Sequence, residues 1–296
     1  MEHGESLTIT IAGIAVAIAS QDPSLRLEVD GPTQAFLAAA AGPDIRIRAR
    51  WGDDLCDSRG TPVFEAGGHW QISRRGRSFR FHFTAPQFGS VPYRVASFDS
   101  GFTRGEVLLN RRHFDPAVTV SPLAYPLDEL LLQNHLADGR GVEVHALGFL
   151  DPQGRGRLFV GHSGAGKTTL ARLLEQAGGV TLLSDDRIIL RATAKGPWLY
   201  GTPWHGEAVL ASPAGGPLAG VYFLQHGPSN QFRALSPGAA AAALFARAFP
   251  PLYRREALDF ALGFCGEVAL TVPCHVLDFV PDRRVVDFLL EHARWS

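Results

Sequence analysis

The sequence predicts an α/β protein in which a β-rich N-terminal part precedes a part built around a phosphate-binding loop. Three observations carry this expectation. Residues 161–168 read Gly-His-Ser-Gly-Ala-Gly-Lys-Thr, a complete phosphate-binding loop. A short apolar run leads into it and a helical pattern leads out of it. Before residue 122, short runs alternate apolar and polar side chains, and Gly, Pro and Asp clusters separate them.

In chain order, Leu7–Ile11, Asp44–Arg48 and Phe79–Phe83 each alternate and read as strands. Thr33–Ala41 is the one helical candidate in this part. His69, His82 and His113 are isolated and read as satisfied surface or strand histidines. Ser121–Pro126 is Pro-rich and marks a boundary, giving domains 1–122 and 123–296. Pro126 opens a helix with Asp128 and Glu129 in its first turn, Leu127, Leu130 and Leu131 on its apolar face and Gly139 at its end. Val142–Leu150 and Arg157–Val160 form a hairpin across Asp151–Gly156.

Thr168–Ala177 reads as the loop helix, with Leu170, Leu173 and Leu174 on one face and Gly178-Gly179 as its stop. Val180–Leu183 is the next strand and ends in Ser184-Asp185-Asp186. Ile188–Arg191 re-enters the sheet, Trp198–Glu207 reads as a loop, and Leu218–Gln225 is a strand. Ser236 and Pro237 open a helix running to about Phe249, and Arg254–Gly263 and Arg283–Ala293 are two more. No internal repeat is present.

The bulk properties exclude several function classes. The chain has 296 residues, 46% hydrophobic and 19% charged, with net charge −1. Nothing in that balance draws it to nucleic acid or to an anionic membrane. Cys56, Cys265 and Cys274 follow no metal spacing and read as reduced thiols. No signal-peptide pattern opens the chain, and the apolar stretch Ile9–Ala19 is interrupted by Gly13 and too short to span a bilayer. A cytoplasmic protein is expected, with its oligomeric state left open.

The loop carries the chemistry. Backbone N–H groups and a helix N-terminus surround an anion in such a loop. Lys167 reaches the terminal phosphates, and the Thr168 hydroxyl is placed to ligate Mg²⁺. The expected nucleotide-binding set is Gly161, His162, Ser163, Gly164, Ala165, Gly166, Lys167, Thr168 and Thr169. The chain has two lysines, Lys167 and Lys195, against 26 arginines. A guanidinium fork fits poorly in a tight backbone cradle, so a lysine at this position is informative. Asp185 and Asp186 lie 18 and 19 residues beyond Lys167, at the tip of the next strand. Strand C-terminal ends share the ligand crevice of an open sheet. Two carboxylates there can divide labour, one holding Mg²⁺ and one accepting the proton of an attacking hydroxyl.

This combination resembles the catalytic domain of HPr kinase/phosphorylase and the smaller HPr-kinase-related proteins, some of them from modified-peptide biosynthesis. The shared features are Gly-x-Ser-Gly-x-Gly-Lys-Thr, a histidine on the preceding strand (His145) and a close Asp-Asp pair. The resemblance covers about Leu123 to the C-terminus and implies a P-loop kinase core similar to phosphoenolpyruvate carboxykinase. It implies that Asp185 accepts the proton of a serine hydroxyl, that Lys167 stabilises the transferring phosphoryl group and that His145 sits near the phosphates or supports the acid pair. Thr168, Asp186 and Glu207 would serve Mg²⁺, and the nucleotide would be ATP. The loop ends Lys-Thr-Thr, where the family's usually ends Lys-Ser-Glu.

The expected function is a Mg-ATP-dependent kinase acting on a peptide or protein serine, with the N-terminal domain a candidate for holding the acceptor. A kinase for a small-molecule alcohol and a non-catalytic, nucleotide-gated binding module are the alternatives.

Overall fold

The structure is a computed structural model that describes residues 5–39, 42–53, 55, 60–115 and 117–292. It is a mixed α/β protein with two large mixed sheets and few helices. The chain divides into two compact units, Met1–His135 and Leu136–Ser296. The boundary expected at 122 lies before this break, so the Pro-rich stretch Ser121–Pro126 falls within the first unit.

The first unit holds one eight-stranded sheet. Its strands are β1 (Ser6–Ile11), β2 (Ile14–Ser20), β3 (Ile45–Gly52), β4 (Thr61–Ala66), β5 (Trp70–Arg75), β6 (Ser78–Phe83), β7 (Arg94–Phe98) and β8 (Arg104–Asn110). They lie in the order β1-β2-β3-β8-β7-β6-β5-β4. The β2–β3 and β3–β8 pairs are parallel and the others antiparallel.

The apolar stretch Ile9–Ala19 resolves into the β1–β2 hairpin. Its two-residue turn has positive φ at both positions, 52° at Ala12 and 72° at Gly13, which matches the twist of the flanking strands. The helix expected over Thr33–Ala41 is a correction. A short 3₁₀ helix, Gly31–Phe36, occupies its start. Leu37 then bridges to Ile9, and the Ala38 N–H donates to Thr8 O at 3.0 Å, so the backbone is satisfied by β1 and not by a further helical turn. Residues 40 and 41 lie outside the described residues. The histidines behave as strand or surface groups: His82 is buried 3.3 Å from Ser73 Oγ, and His113 stacks on Phe88 at 4.4 Å. Helix α1 (Leu127–Leu136) forms as its leucines require, with Leu127, Leu130 and Leu131 buried.

The second unit interleaves strands and helices. In order they are β9 (Gly141–Leu150), β10 (Gly156–Val160), α2 (Lys167–Ala177), β11 (Thr181–Ser184), β12 (Arg187–Thr193) and β13 (Gly196–Tyr200). Then follow β14 (Gly215–His226), β15 (Gln231–Ala234), α3 (Pro237–Phe245), α4 (Arg255–Thr271), β16 (Cys274–Phe279) and α5 (Arg283–His292). The sheet order is β10-β9-β12-β13-β14-β16-β15, with β11 on β9. A further parallel pairing of β10 with β14 closes β10, β9, β12, β13 and β14 into a ring.

Helices cover both faces. Val142, Val144 and Ala146 of β9 and Leu158 and Val160 of β10 pack with α3 and α4. Leu147, Phe149 and Phe159, of opposite parity, pack with α2 and α5. The near-continuous apolar character of β9 and β10 follows from burial on both sides.

Several expected boundaries are corrected. Trp198–Tyr200 belongs to β13, so only the remainder of the expected loop is irregular. Helix α3 stops at Phe245 because the next residues lie along β9: the His145 N–H donates to Arg247 O at 2.8 Å and the Phe249 N–H to Glu143 O at 2.9 Å. Helix α4 continues through Gly263 to Thr271. Cys265 and Cys274 are free buried thiols, pushed up by burial to about 12 and about 11. Cys56 lies outside the described residues. Among the described residues no helix is long and apolar enough to cross a membrane.

Candidate functional site

Strand β10 is buried throughout and delivers the chain into the loop at Gly161. The loop needs its glycines for stated reasons. A Cβ at Gly161 would lie 2.7 Å from the Ala165 methyl, and Gly166 has φ 96°, with Phe279 Cζ 2.6 Å from where a Cβ would stand. Helix α2 then starts at Lys167 itself. The lysine folds back over the loop, its Nζ donating to Gly161 O at 2.9 Å and to His162 O at 3.3 Å.

Lys167 is buried, and desolvation pushes its pKa below the ordinary lysine value. The charges of Arg247 and Arg187 push the same way, while Asp186 and Asp185 oppose them.

The acidic pair sits in an interruption of pairing. Strands β11 and β12 both pair antiparallel with β9, along its C-terminal and N-terminal halves respectively. Asp185 and Asp186 occupy the gap between them. Strand β10 also runs antiparallel to β9, so β10 and β11 point the same way, and their C-terminal residues Val160 and Ser184 stand opposite Ala146 and Gly148, two residues apart in the middle of β9. The phosphate loop and the acidic pair come together for that reason.

The two carboxylates face different partners. Asp185 is 2% exposed; its Oδ1 accepts the Gly206 N–H at 2.9 Å and its Oδ2 the Ala208 N–H at 2.8 Å. These bonds hold Glu207, between the two donors, at the site. Asp186 Oδ1 lies 2.8 Å from His145 Nδ1, and its Oδ2 accepts from Arg187 Nη1 at 2.5 Å. Burial alone would raise the Asp186 pKa. The hydrogen bond from His145 and the charges of Arg187, His145 and Lys167 outweigh it and hold the carboxyl below its ordinary value.

Arg187 is itself fixed by buried Glu143, whose Oε1 is 3.1 Å from Nε, and lies over the Phe249 ring at 4.4 Å. His145 and Glu143 share a side of β9 by the two-residue period of a strand.

One cavity of about 420 Å³ gathers this set: His145, Ser163, Gly164, Gly166, Lys167, Thr168, Thr169, Asp185, Asp186, Gly206 and Glu207 line it. Of the residues expected from the sequence, Gly161, His162 and Ala165 do not line it. They form the turn beneath, with the Ala165 N–H donating to His162 O at 3.1 Å. Another cavity, about 470 Å³, lies in the first unit against Trp70 and His82. The smaller one is the candidate site because it joins a cation, two carboxylates and a loop of backbone amides.

The sequence reading missed Arg187, Glu143 and Gly206. Arg187 directly follows the acidic pair, and Glu143 is a charge at His145 − 2 on an otherwise apolar strand. Both signals were present. A scan against models of known protein families finds no match, and a search of curated proteins finds none either.

The donor set fits a magnesium-bound triphosphate. Amide donors and a lysine suit phosphate oxygens, and the Thr168 hydroxyl, Asp186 and Glu207 supply hard oxygen ligands at one cavity. Among the described residues no cluster of three His, Cys, Asp or Glu forms a metal cage. Mg²⁺ held largely by nucleotide phosphates and water needs only one or two protein oxygens.

Proposed function

We propose that this chain is a Mg-ATP-dependent kinase of the HPr-kinase-related, P-loop type, transferring the γ-phosphoryl group to a hydroxyl, that of a serine in a peptide or small protein. The observation that carries the reading is the single cavity in which the phosphate loop, Lys167, Thr168, the Asp185–Asp186 pair, His145 and Glu207 meet.

In this reading the bond from the γ-phosphorus to the β,γ-bridging oxygen breaks and a bond from the acceptor oxygen forms. The hydroxyl proton passes to the protein. Lys167 leaves its carbonyl partners for phosphate oxygens and offsets the negative charge on the transferring group. Mg²⁺, when bound, neutralises phosphate charge. Asp186, held ionised by its neighbours, and the Thr168 hydroxyl would hold it with Glu207.

Two groups are candidates to take the proton. Asp185 is the one the family resemblance implies, and each of its oxygens keeps a lone pair beyond its backbone bond. His145 is favoured by a specific observation: its Nδ1 is backed by Asp186, and its Nε2 has no protein partner among the described residues.

The deciding experiment incubates the protein with Mg-ATP and serine-containing peptides and reads a phosphate-mass gain by mass spectrometry. Phosphopeptide is expected from wild type and none from Lys167→Ala. ATP turnover with no acceptor phosphorylated in a broad peptide and alcohol panel refutes the kinase reading. Single-turnover rates of His145→Gln and Asp185→Asn, at equal nucleotide occupancy, separate the two proton acceptors.

A further inference from the structure

Alternation along β3 sends Arg46, Arg48 and Arg50 to one side of the first unit's sheet and Ile45, Ile47 and Ala49 to the other. The arginines are exposed and the apolar residues buried. The pairing register extends the exposed face. Arg104 of β8 stands opposite Arg46, and Glu106 opposite Arg48. Ser97 of β7 follows opposite Glu106, and Arg80 of β6 opposite Ser97. Five arginines and one carboxylate therefore share these strand positions. Glu106 is bonded to Arg50 at 2.8 Å. The side chains of Arg46, Arg48 and Arg104 make no ion pair among the described residues.

Like charges directly opposite on neighbouring strands destabilise a sheet. A solvated face needs only polar residues, and serine, threonine or mixed charges would serve the fold better than Arg46 against Arg104. Beside the arginine row, β2 places Ala17 and Ala19 opposite Arg46 and Arg48. Their short, uncharged side chains add no like charge beside the arginine row.

We propose that this face docks an acidic polypeptide segment in extended conformation. Same-face positions recur about every 6.6–6.8 Å in any extended chain, so carboxylates at alternate residues match the spacing of Arg46, Arg48 and Arg50. Guanidinium forks take carboxylates bidentately, which suits arginine where lysine would give only point charges. Nucleic acid fits the face less well. None of the named positions carries an aromatic ring to stack a base, and Glu106 would confront phosphates. The proposal rests on the first unit alone and stands whether or not the kinase reading does.

The test is fluorescence anisotropy of a labelled oligoglutamate peptide titrated with the full chain, with oligolysine and a single-stranded oligonucleotide of equal charge as comparisons. Oligoglutamate is expected to bind at low salt and to be released at high salt. The double variant Arg46→Ser/Arg48→Ser should weaken binding by about tenfold or more. Arg104→Ser should weaken it less, and Arg255→Ser, an exposed arginine of α4, should leave it unchanged. Circular dichroism of the double variant should match wild type, since both side chains are exposed. Failure of oligoglutamate to bind, equal binding by the double variant, or tighter binding of the oligonucleotide would overturn the proposal.

Discussion

Asp185→Asn tests whether this carboxylate holds the site together as well as serving its chemistry. The wild-type side chain is 2% exposed and accepts two backbone N–H groups, from Gly206 and Ala208. The asparagine oxygen can replace one acceptor, but its NH₂ then faces the other amide, donor against donor. One buried charge-assisted bond is lost, at about 1.5–3 kcal/mol, and the remaining one becomes neutral and weaker. A total near 3 kcal/mol follows, or about 6–12 °C in the melting temperature of a unit this size. Thermal unfolding followed by circular dichroism gives the shift. Hydrogen exchange at Gly206 and Ala208 gives its location, since both amides should lose protection. A variant that melts within about a degree of wild type with both amides still protected would refute the reasoning. The experiment also bears on mechanism: loss of transfer in Asp185→Asn implicates a base only where loop 206–208 is intact.

Lys167→Ala should abolish phosphoryl transfer, and wild-type turnover in that variant would remove the site assignment. Gly166→Ala should lower nucleotide affinity by about tenfold or more in calorimetric titration, because φ is 96° and a Cβ would stand 2.6 Å from Phe279 Cζ. Asp151 gives a pH prediction. Burial alone would raise its pKa, but the Arg155 backbone bond and the Arg157 and Arg155 side chains hold it below 3.8. A depressed folded pKa means its stabilisation is complete above the unfolded value and lost as pH falls through the folded one. Urea midpoints of wild type and Asp151→Asn should therefore differ near pH 7, and the gap should shrink progressively only as pH falls below the ordinary carboxylate value; a gap that stays constant on acidification would contradict this.

The loop over residues 161–168 and the helix after it were legible because the motif dictates backbone conformation: Gly164 and Gly166 stand at positive φ, Gly161 where a Cβ would meet Ala165, and Lys167 folds back over the turn. The hairpin before it and helices α1, α2 and α5 were legible through apolar periodicity and turn residues. Other elements hid for physical reasons. Strand β16 follows α4 almost directly, across Val272 and Pro273, and mixes Cys274, His275 and Asp278 with its apolar residues, which blurs both periods. Gly263 suggested a helix stop, yet nothing lies within 4 Å of a Cβ there, so the glycine simply occupies an open helical position. Within the site, residue types were readable but partners were not. Nothing local in Ser184-Asp185-Asp186 says that one carboxylate will anchor a loop twenty residues downstream and the other a histidine forty residues upstream. That division comes from the broken pairing of β11 and β12 along β9.

The scarcity of lysine gives this protein a built-in reporter. Lys195 is exposed in the turn between β12 and β13, whereas Lys167 is buried in the cavity with its pKa pushed down by burial. An amine-acylating reagent followed by peptide mapping would read both side chains in one tube, the first as an internal standard for reagent dose and the second as a gauge of occupancy. Any compound that enters the phosphate loop should shield one lysine and leave the other unchanged, so ligands could be ranked without a labelled nucleotide, an acceptor or a turnover assay.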